Sequence, residues 1–225
     1  MAVLSKNDKI VRIAKNVAML MDNVQDTFVL NLGVGMPTQV SNYVANDNIF
    51  VHAENGMIGV GPLAEGDQIH PMLINASRQP VLETPGCCYT DSGDAFGMIR
   101  GGHIDCTVLG AFEVDQQGDI SNWIIPNGKQ LGVGGAMDLV TGAKKVIIVM
   151  THTDKNGGAK LVKKCALPVT GVGEADLVVT EMGMFFFENR KVILKKIAPD
   201  VTLEDIAALT ELEYEVSPKL QKMLP

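Results

Sequence analysis

The chain has no excess of basic charge: 19 Lys and Arg stand against 26 Asp and Glu, for a formal net charge of −7 over 225 residues. Nucleic-acid binding ordinarily leaves a basic stripe, so this balance argues against such a partner. A small anionic ligand stays possible, because a helix N-terminus or a local cluster can hold one inside an acidic protein. Cysteine is scarce as well. Cys87, Cys88, Cys106 and Cys165 contain no C-x-x-C pair, which points away from zinc and disulfides and toward reduced core thiols. His52, His70, His103 and His152 are scattered without any H-E-x-x-H spacing, so no metal is expected. The absence of a G-x-S-x-G elbow counts against an α/β-hydrolase. No apolar run reaches transmembrane length, and Lys6, Asp8, Lys9 and Arg12 break up any leader-like stretch. A cytoplasmic protein is the expectation.

What is present suits one sizeable core. Apolar residues make up 46 % and charged residues 20 %, with no tandem repeat, low-complexity tract or linker, so residues 1–225 read as a single domain. Ser5 or Asn7 can cap a first helix, whose apolar face is Ile10, Ile13, Ala14, Val17, Ala18 and Met21. Phe28 to Leu32 read as a buried strand. The loop Gly33-Val34-Gly35-Met36-Pro37 follows, and Pro37 suits the first turn of a second helix running to about Ala45. Ile49 to Ala53 form another strand that ends on Glu54-Asn55-Gly56. Further along, Thr107 to Val114 read as a strand, with a turn at Gly118 and a return over Ile120 to Ile125. Lys145 to Thr151 and Leu177 to Thr180 are strand candidates. Phe185 to Phe187 and Val192 to Leu194 predict a hairpin, and Thr202 to Asp205 a capping box opening the last helix. Strand, glycine loop, helix, strand is the grammar of an α/β fold with an open, mostly parallel sheet covered by helices. Ligands in such sheets sit beyond the carboxyl ends of the strands, where both the Gly33 loop and Glu54 fall.

Glu54 stands out on local grounds. It directly follows the apolar segment Val51-His52-Ala53, where a charge is costly unless paired or used. The glycine loops are weak signals individually. Gly33-x-Gly35 lacks the third glycine of a dinucleotide fingerprint, and Gly132-x-Gly134-Gly135 has no following Lys-Ser or Lys-Thr. Each could simply be a tight turn, or could offer backbone N–H groups to a developing oxyanion. The pairs Lys144-Lys145 and Lys163-Lys164 read as solvated ends of elements.

The segment Val51-His-Ala-Glu54-Asn-Gly56-Met-Ile-Gly59-Val-Gly61-Pro62 resembles the active-site segment of the family I coenzyme A transferases. Asn31-Leu-Gly-Val-Gly-Met-Pro37 is similar to the glycine loop that precedes it in that family. Phe96-Gly-Met-Ile-Arg-Gly-Gly-His103, Asn122-Trp-Ile-Ile-Pro126, Gly134-Gly-Ala-Met-Asp-Leu139, Lys164-Cys-Ala-Leu-Pro168 and Val216-Ser-Pro-Lys-Leu220 resemble further blocks in the same order. The likeness spans nearly the whole chain and is to the B (β) subunit of the acetate, butyrate–acetoacetate or 3-oxoacid enzymes. Departures are Ala53, where Ser is common, Val133, where Met is usual, and a loose fit over Asn75 to Gly86, a region that bears on acyl specificity.

The resemblance implies a CoA-transferase fold of the NagB–RpiA type and a ping-pong transfer of coenzyme A between an acyl-CoA and a short-chain acid. Acetate, butyrate and acetoacetate lead, with succinate behind because no added cation for a second carboxylate stands out. Glu54 would be the nucleophile, passing through an acyl anhydride to a glutamyl-CoA thioester. Coenzyme A is a substrate there, and no permanent cofactor or metal is implied. Also by resemblance, Gly135, with Gly134, supplies an oxyanion donor, the Gly33, Val34, Gly35 and Met36 loop meets the thioester or pantetheine, and Asn55 helps hold Glu54. The likeness further implies an A (α) subunit partner in an A2B2 heterotetramer. Two other readings remain: a sugar-phosphate isomerase or ligand-binding regulator with Glu54 as a general base, and a silent assembly partner whose site forms only at an interface.

Overall fold

The computed structural model of the chain describes residues 4–128, 130 and 132–225. The first helix, α1 (Lys6–Ala18), is opened by Ser5, whose hydroxyl accepts from the Asp8 N–H while the Asp8 carboxylate accepts from the Ser5 N–H. This reciprocal cap satisfies donors that the helix start would leave bare. Its face of Ile13, Ala14, Val17 and Ala18 is buried in the main core. The chain then forms β1 (Phe28–Leu32), a 3-10 run over Met36–Asn42, and β2 (Ile49–Ala53). The helix expected after Pro37 is therefore the tighter form and ends earlier. A hairpin excursion follows, β3 (Met57–Leu63) and β4 (Val81–Tyr89), and then α2 (Ser92–Arg100), capped by Asp91.

The apolar stretch expected as one strand from Thr107 to Val114 is two. β5 (Cys106–Gly110) lies in the main sheet, and β6 (Glu113–Asp115) pairs elsewhere with the short β7 (Ile120–Ser121). After α3 (Ala136–Gly142) come β8 (Val146–Val149), β9 (Leu161–Val162), β10 (Leu177–Val179), the hairpin β11 (Gly183–Glu188) and β12 (Lys191–Ile197), α4 (Leu203–Leu209), and β13 (Glu215–Lys222). Thr202 and Asp205 form the expected capping box on α4.

Among the described residues, ten strands make one sheet in the order β13-β12-β11-β10-β8-β5-β1-β2-β3-β4, and β7-β6-β9 make a second. The run β10-β8-β5-β1-β2 is parallel throughout, flanked by antiparallel pairs at β10-β11 and β2-β3. Every residue of β8 and β10 is buried, as parallel strands covered on both faces require. The edges differ: β4 and β13 are largely exposed, and Pro218 sits in β13 where a missing donor is tolerated. Of the cysteines only Cys106 is a core residue; all four are free, and Cys88 is exposed on β4. Among the described residues no helix is long and apolar enough to cross a membrane.

A closed polar cluster ties α1 to the far half of the sheet. His152, past the end of β8, is fully buried, with Nδ1 3.0 Å from the Thr180 hydroxyl and Nε2 2.9 Å from that of Thr210. Its backbone N–H donates to Glu181 Oε2 at 2.8 Å, while Lys9 Nζ donates to Oε1 at 2.7 Å. Burial pulls the His152 imidazole down to about 4, against the opposing pull of Glu181.

Candidate active site

β1 lies between β2 and β5. The chain leaves β1 on one side through β2 and returns on the other through β5, and this reversal opens a crevice beyond the carboxyl ends of the strands. The crevice is a cleft of about 640 Å³, a size suited to a small-molecule ligand. Its walls are the loop Gly33–Pro37 after β1, Glu54 after β2, Leu109–Phe112 at the end of β5, Val149–Thr151 at the end of β8, and Gly132–Ala136 before α3. Asn122 and Lys160 complete it. A second cavity of about 90 Å³, between Thr38–Asn42 and Asn75–Val81, contains no ionisable side chain besides His52. The larger cleft is the one of the two that carries a carboxylate, Glu54.

A buried polar ladder leads to Glu54. Sheet register sets Asn31 of β1 beside Thr107 of β5 on one flank and His52 of β2 on the other. All three are buried. The Thr107 hydroxyl donates to Asn31 Oδ1 at 3.2 Å. Asn31 Nδ2 in turn reaches the His52 carbonyl at 3.2 Å, His52 Nδ1 at 3.3 Å and Glu54 Oε2 at 3.4 Å. Two amide protons are thus shared among three acceptors. Donation to Nδ1 requires the imidazole tautomer protonated at Nε2, which has no partner among the described residues. Burial lowers the His52 pKa, while the Glu54 charge pulls it the other way. The ring therefore serves as a neutral prop.

Glu54 is two residues beyond His52, half-buried, on the lip of the cleft. The turn that carries it depends on Gly56, at φ +117°, where an added Cβ would lie 2.2 Å from the Thr90 carbonyl oxygen. Only glycine combines that backbone with that contact. On the facing wall a Cβ at Gly135 would come 3.6 Å from Glu54 Cγ and 3.2 Å from the Phe96 ring. A bare backbone thus stands next to the carboxylate stem.

The structure gathers most of the residues singled out from the sequence. Gly33, Val34, Gly35, Met36, Gly134, Gly135 and Glu54 all line the one cleft. The Gly33 N–H is committed to the sheet, donating to the Val108 carbonyl at 2.9 Å. Asn55, expected to hold Glu54, is exposed and donates instead to the Ile74 carbonyl at 2.9 Å. The amide that reaches Glu54 belongs to Asn31. Sequence reasoning assigned Asn31 no role, although a lone Asn inside the apolar strand Phe28–Leu32 was a visible signal. Lys160 was also missed. It precedes β9 and enters the cleft with Nζ donating to the Ala111 carbonyl at 2.8 Å. The four lysines of the two Lys-Lys pairs are exposed, as expected of solvated ends, and Lys144 pairs with Asp105.

Taken together, the geometry is that of an α/β protein that brings a carboxylate to a glycine-walled cleft at a switch in strand order. Comparison with known proteins gives the class a family. The coenzyme A transferase family model matches residues 13–209. The B (β-type) component of the succinyl-CoA:3-ketoacid coenzyme A transferase of Helicobacter pylori is 42 % identical over 193 residues, covering 86 % of this chain and 93 % of its own. The β subunit of the Escherichia coli acetate CoA-transferase is 42 % identical over 210 residues, covering 93 % and 94 %. Among solved structures, the Escherichia coli acyl-CoA transferase YdiF superposes with a TM-score of 0.75 at 22 % identity, which speaks to the fold. The match covers 100 % of this chain but 45 % of that one, so the chain spans just under half of YdiF. The chain belongs to the coenzyme A transferase family, and the enzyme it forms is a CoA-transferase.

Proposed function

We propose that the chain is the Glu-bearing β-type subunit of a short-chain CoA-transferase, working by a ping-pong mechanism through Glu54. The observation that carries this reading is the position of Glu54: half-buried, on the lip of the cleft, held by Asn31 and faced by the Gly135 backbone. A glutamate carboxylate is ordinarily ionised at neutral pH and attacks a thioester without a separate base. A Glu54 oxygen adds to the acyl-CoA carbonyl carbon, the carbon–sulfur bond breaks, and an acyl-glutamyl anhydride forms with release of CoA thiolate. The thiolate then attacks the glutamyl carbonyl, freeing the first acid and leaving a Glu54–CoA thioester. A second carboxylate reverses both steps and departs as the new acyl-CoA. One thioester replaces another, so no ATP or metal enters the balance.

Carboxylates are weak nucleophiles, so the barrier falls by positioning and by stabilisation of the tetrahedral oxyanion. The backbone N–H groups of Gly134 and Gly135, on the cleft wall beside Glu54, are the proposed donors to that oxyanion. Val34, Gly35 and Met36 line the same cleft and are the proposed contacts of the pantetheine end. Acetate, butyrate and acetoacetate are the proposed acids. An α-type (A) subunit completes the enzyme as an A2B2 assembly in the cytoplasm; relatives named as B or β subunits support the first of these points.

The test uses the assembled A–B complex. Incubation with acyl-CoA followed by borohydride or hydroxylamine modifies Glu54, and Glu54→Ala lowers turnover by on the order of 10⁴-fold or more. Full activity of Glu54→Ala with no trapped adduct overturns the mechanism.

A further inference from the structure

The cleft is lined by only two charged side chains among the described residues, Glu54 and Lys160. Lys160 is an unusual occupant. Among the described residues its ammonium makes one hydrogen bond, to the Ala111 carbonyl, and no ion pair. Three carboxylates are near enough to favour its charge, Glu181, Asp154 and Glu113, yet each is occupied elsewhere. Glu181 takes Lys9 and the His152 N–H. Asp154 accepts from the Asn156 and Gly158 N–H groups, and Glu113 from those of Ala166 and Leu167. Burial draws the Lys160 pKa down to about 8, which still leaves the side chain mostly protonated at neutral pH. A half-buried cation left with one partner among the described residues retains donors for an incoming anion.

We propose that Lys160 is the anion site of the cleft, binding the carboxylate of the free acid as it attacks the enzyme–CoA thioester and as it departs. The proposal rests on the Glu54 reading and adds to it the group that receives the acid. The order of events gives it a physical purpose. When the second acid arrives, Glu54 is esterified to sulfur and carries no charge, so the cleft then holds a lone cation. In the resting enzyme both charges are present, and free acid meets the repulsion of Glu54. Lys160 thus favours carboxylates at the stage that needs them. In the step itself, a carboxylate oxygen adds to the glutamyl carbonyl, the carbon–sulfur bond breaks, CoA thiolate leaves and the mixed anhydride forms. The lysine keeps its proton throughout.

The A–B complex is charged with acyl-CoA, freed of excess reagent, and its thioester discharged by acetate or by hydroxylamine, a nucleophile that is neutral at pH 7. Lys160→Gln keeps a donor for the Ala111 carbonyl but removes the charge. Its acetate discharge falls at least about 10-fold, as expected for loss of a charged hydrogen bond. Hydroxylamine discharge stays within about 2-fold of the unaltered complex, because that nucleophile makes no charged contact for the substitution to remove. Lys160→Arg restores part of the acetate rate. Acetate discharge that is unchanged, or acetate and hydroxylamine rates that fall together, overturns the role of Lys160 while leaving Glu54 in place. Absence of any thioester in the unaltered complex overturns the Glu54 reading and this inference with it.

Discussion

Two buried polar clusters end at strand termini of the same sheet, and they are built on opposite plans. Around His152 every polar atom of the ring and of the Glu181 carboxylate has a partner: hydroxyls on both ring nitrogens, a lysine and a backbone N–H on the acid. Around Asn31 the pattern is loose. One amide serves three acceptors at 3.2 to 3.4 Å, His52 Nε2 has no partner among the described residues, and the last member opens on the cleft. A fully satisfied network is a fastener, which rigidifies the interior. One that leaves a carboxylate incompletely bonded at a cavity wall keeps that group available to react. The comparison supports giving Glu181 to architecture and the proposed chemistry to the half-buried Glu54.

Three substitutions press on this contrast. Asn31→Ala carries the largest expected effect on turnover, since it removes the only side-chain partner of Glu54 among the described residues and strands Thr107 and His52. We expect turnover of the A–B complex to fall by roughly 10-fold or more, and chemical denaturation to show a loss of about 1–3 kcal/mol. Unchanged kinetics with reduced stability would move Asn31 to the structural side.

Next comes the pH response of His152. Its folded pKa of about 4 lies below the ordinary imidazole value, so the unfolded chain binds the extra proton first. The stability this confers is complete above pH ~6.5 and is lost as pH falls toward ~4, by roughly 3 kcal/mol in all. Denaturation midpoints measured across that window should fall less steeply for His152→Gln than for the unaltered chain. Equal slopes would contradict the burial argument. The smallest effect belongs to Thr210→Val, which removes one hydroxyl from the closed cluster. A stability loss of about 1 kcal/mol with an unchanged kcat is expected, and a kinetic defect would show that the two clusters communicate.

Much of the fold was legible because local rules and tertiary demands agreed. Ser5 with Asp8, Thr202 with Asp205, and the apolar runs of β1, β2, β10, β11 and β12 each announced themselves. β4 and β13 did not. Both are exposed edges without alternation, carrying Pro85 and Gly86 in one and Pro218 in the other, so pairing depends on neighbours rather than on pattern. The break between β5 and β6 escaped for a different reason: hydrophobic periodicity records burial, and residues 107–114 remain largely buried while the chain changes sheets. At the site, Glu54 and the glycine loops were readable as punctuation after strands. Asn31 was readable as a polar intrusion. Lys160 offered no signal, since an isolated lysine before a short apolar pair usually marks a solvated end; only the packing of Ala111 and the cleft gives it meaning.

The ladder beneath Glu54 joins residues 21 and 76 positions apart in the chain. Loops of that length close late, because their entropy must be overcome before any contact rewards it. A chain emerging from denaturant therefore regains its helices and hairpins ahead of the ladder beneath Glu54, which waits on the long-range pairing of β1 with β5.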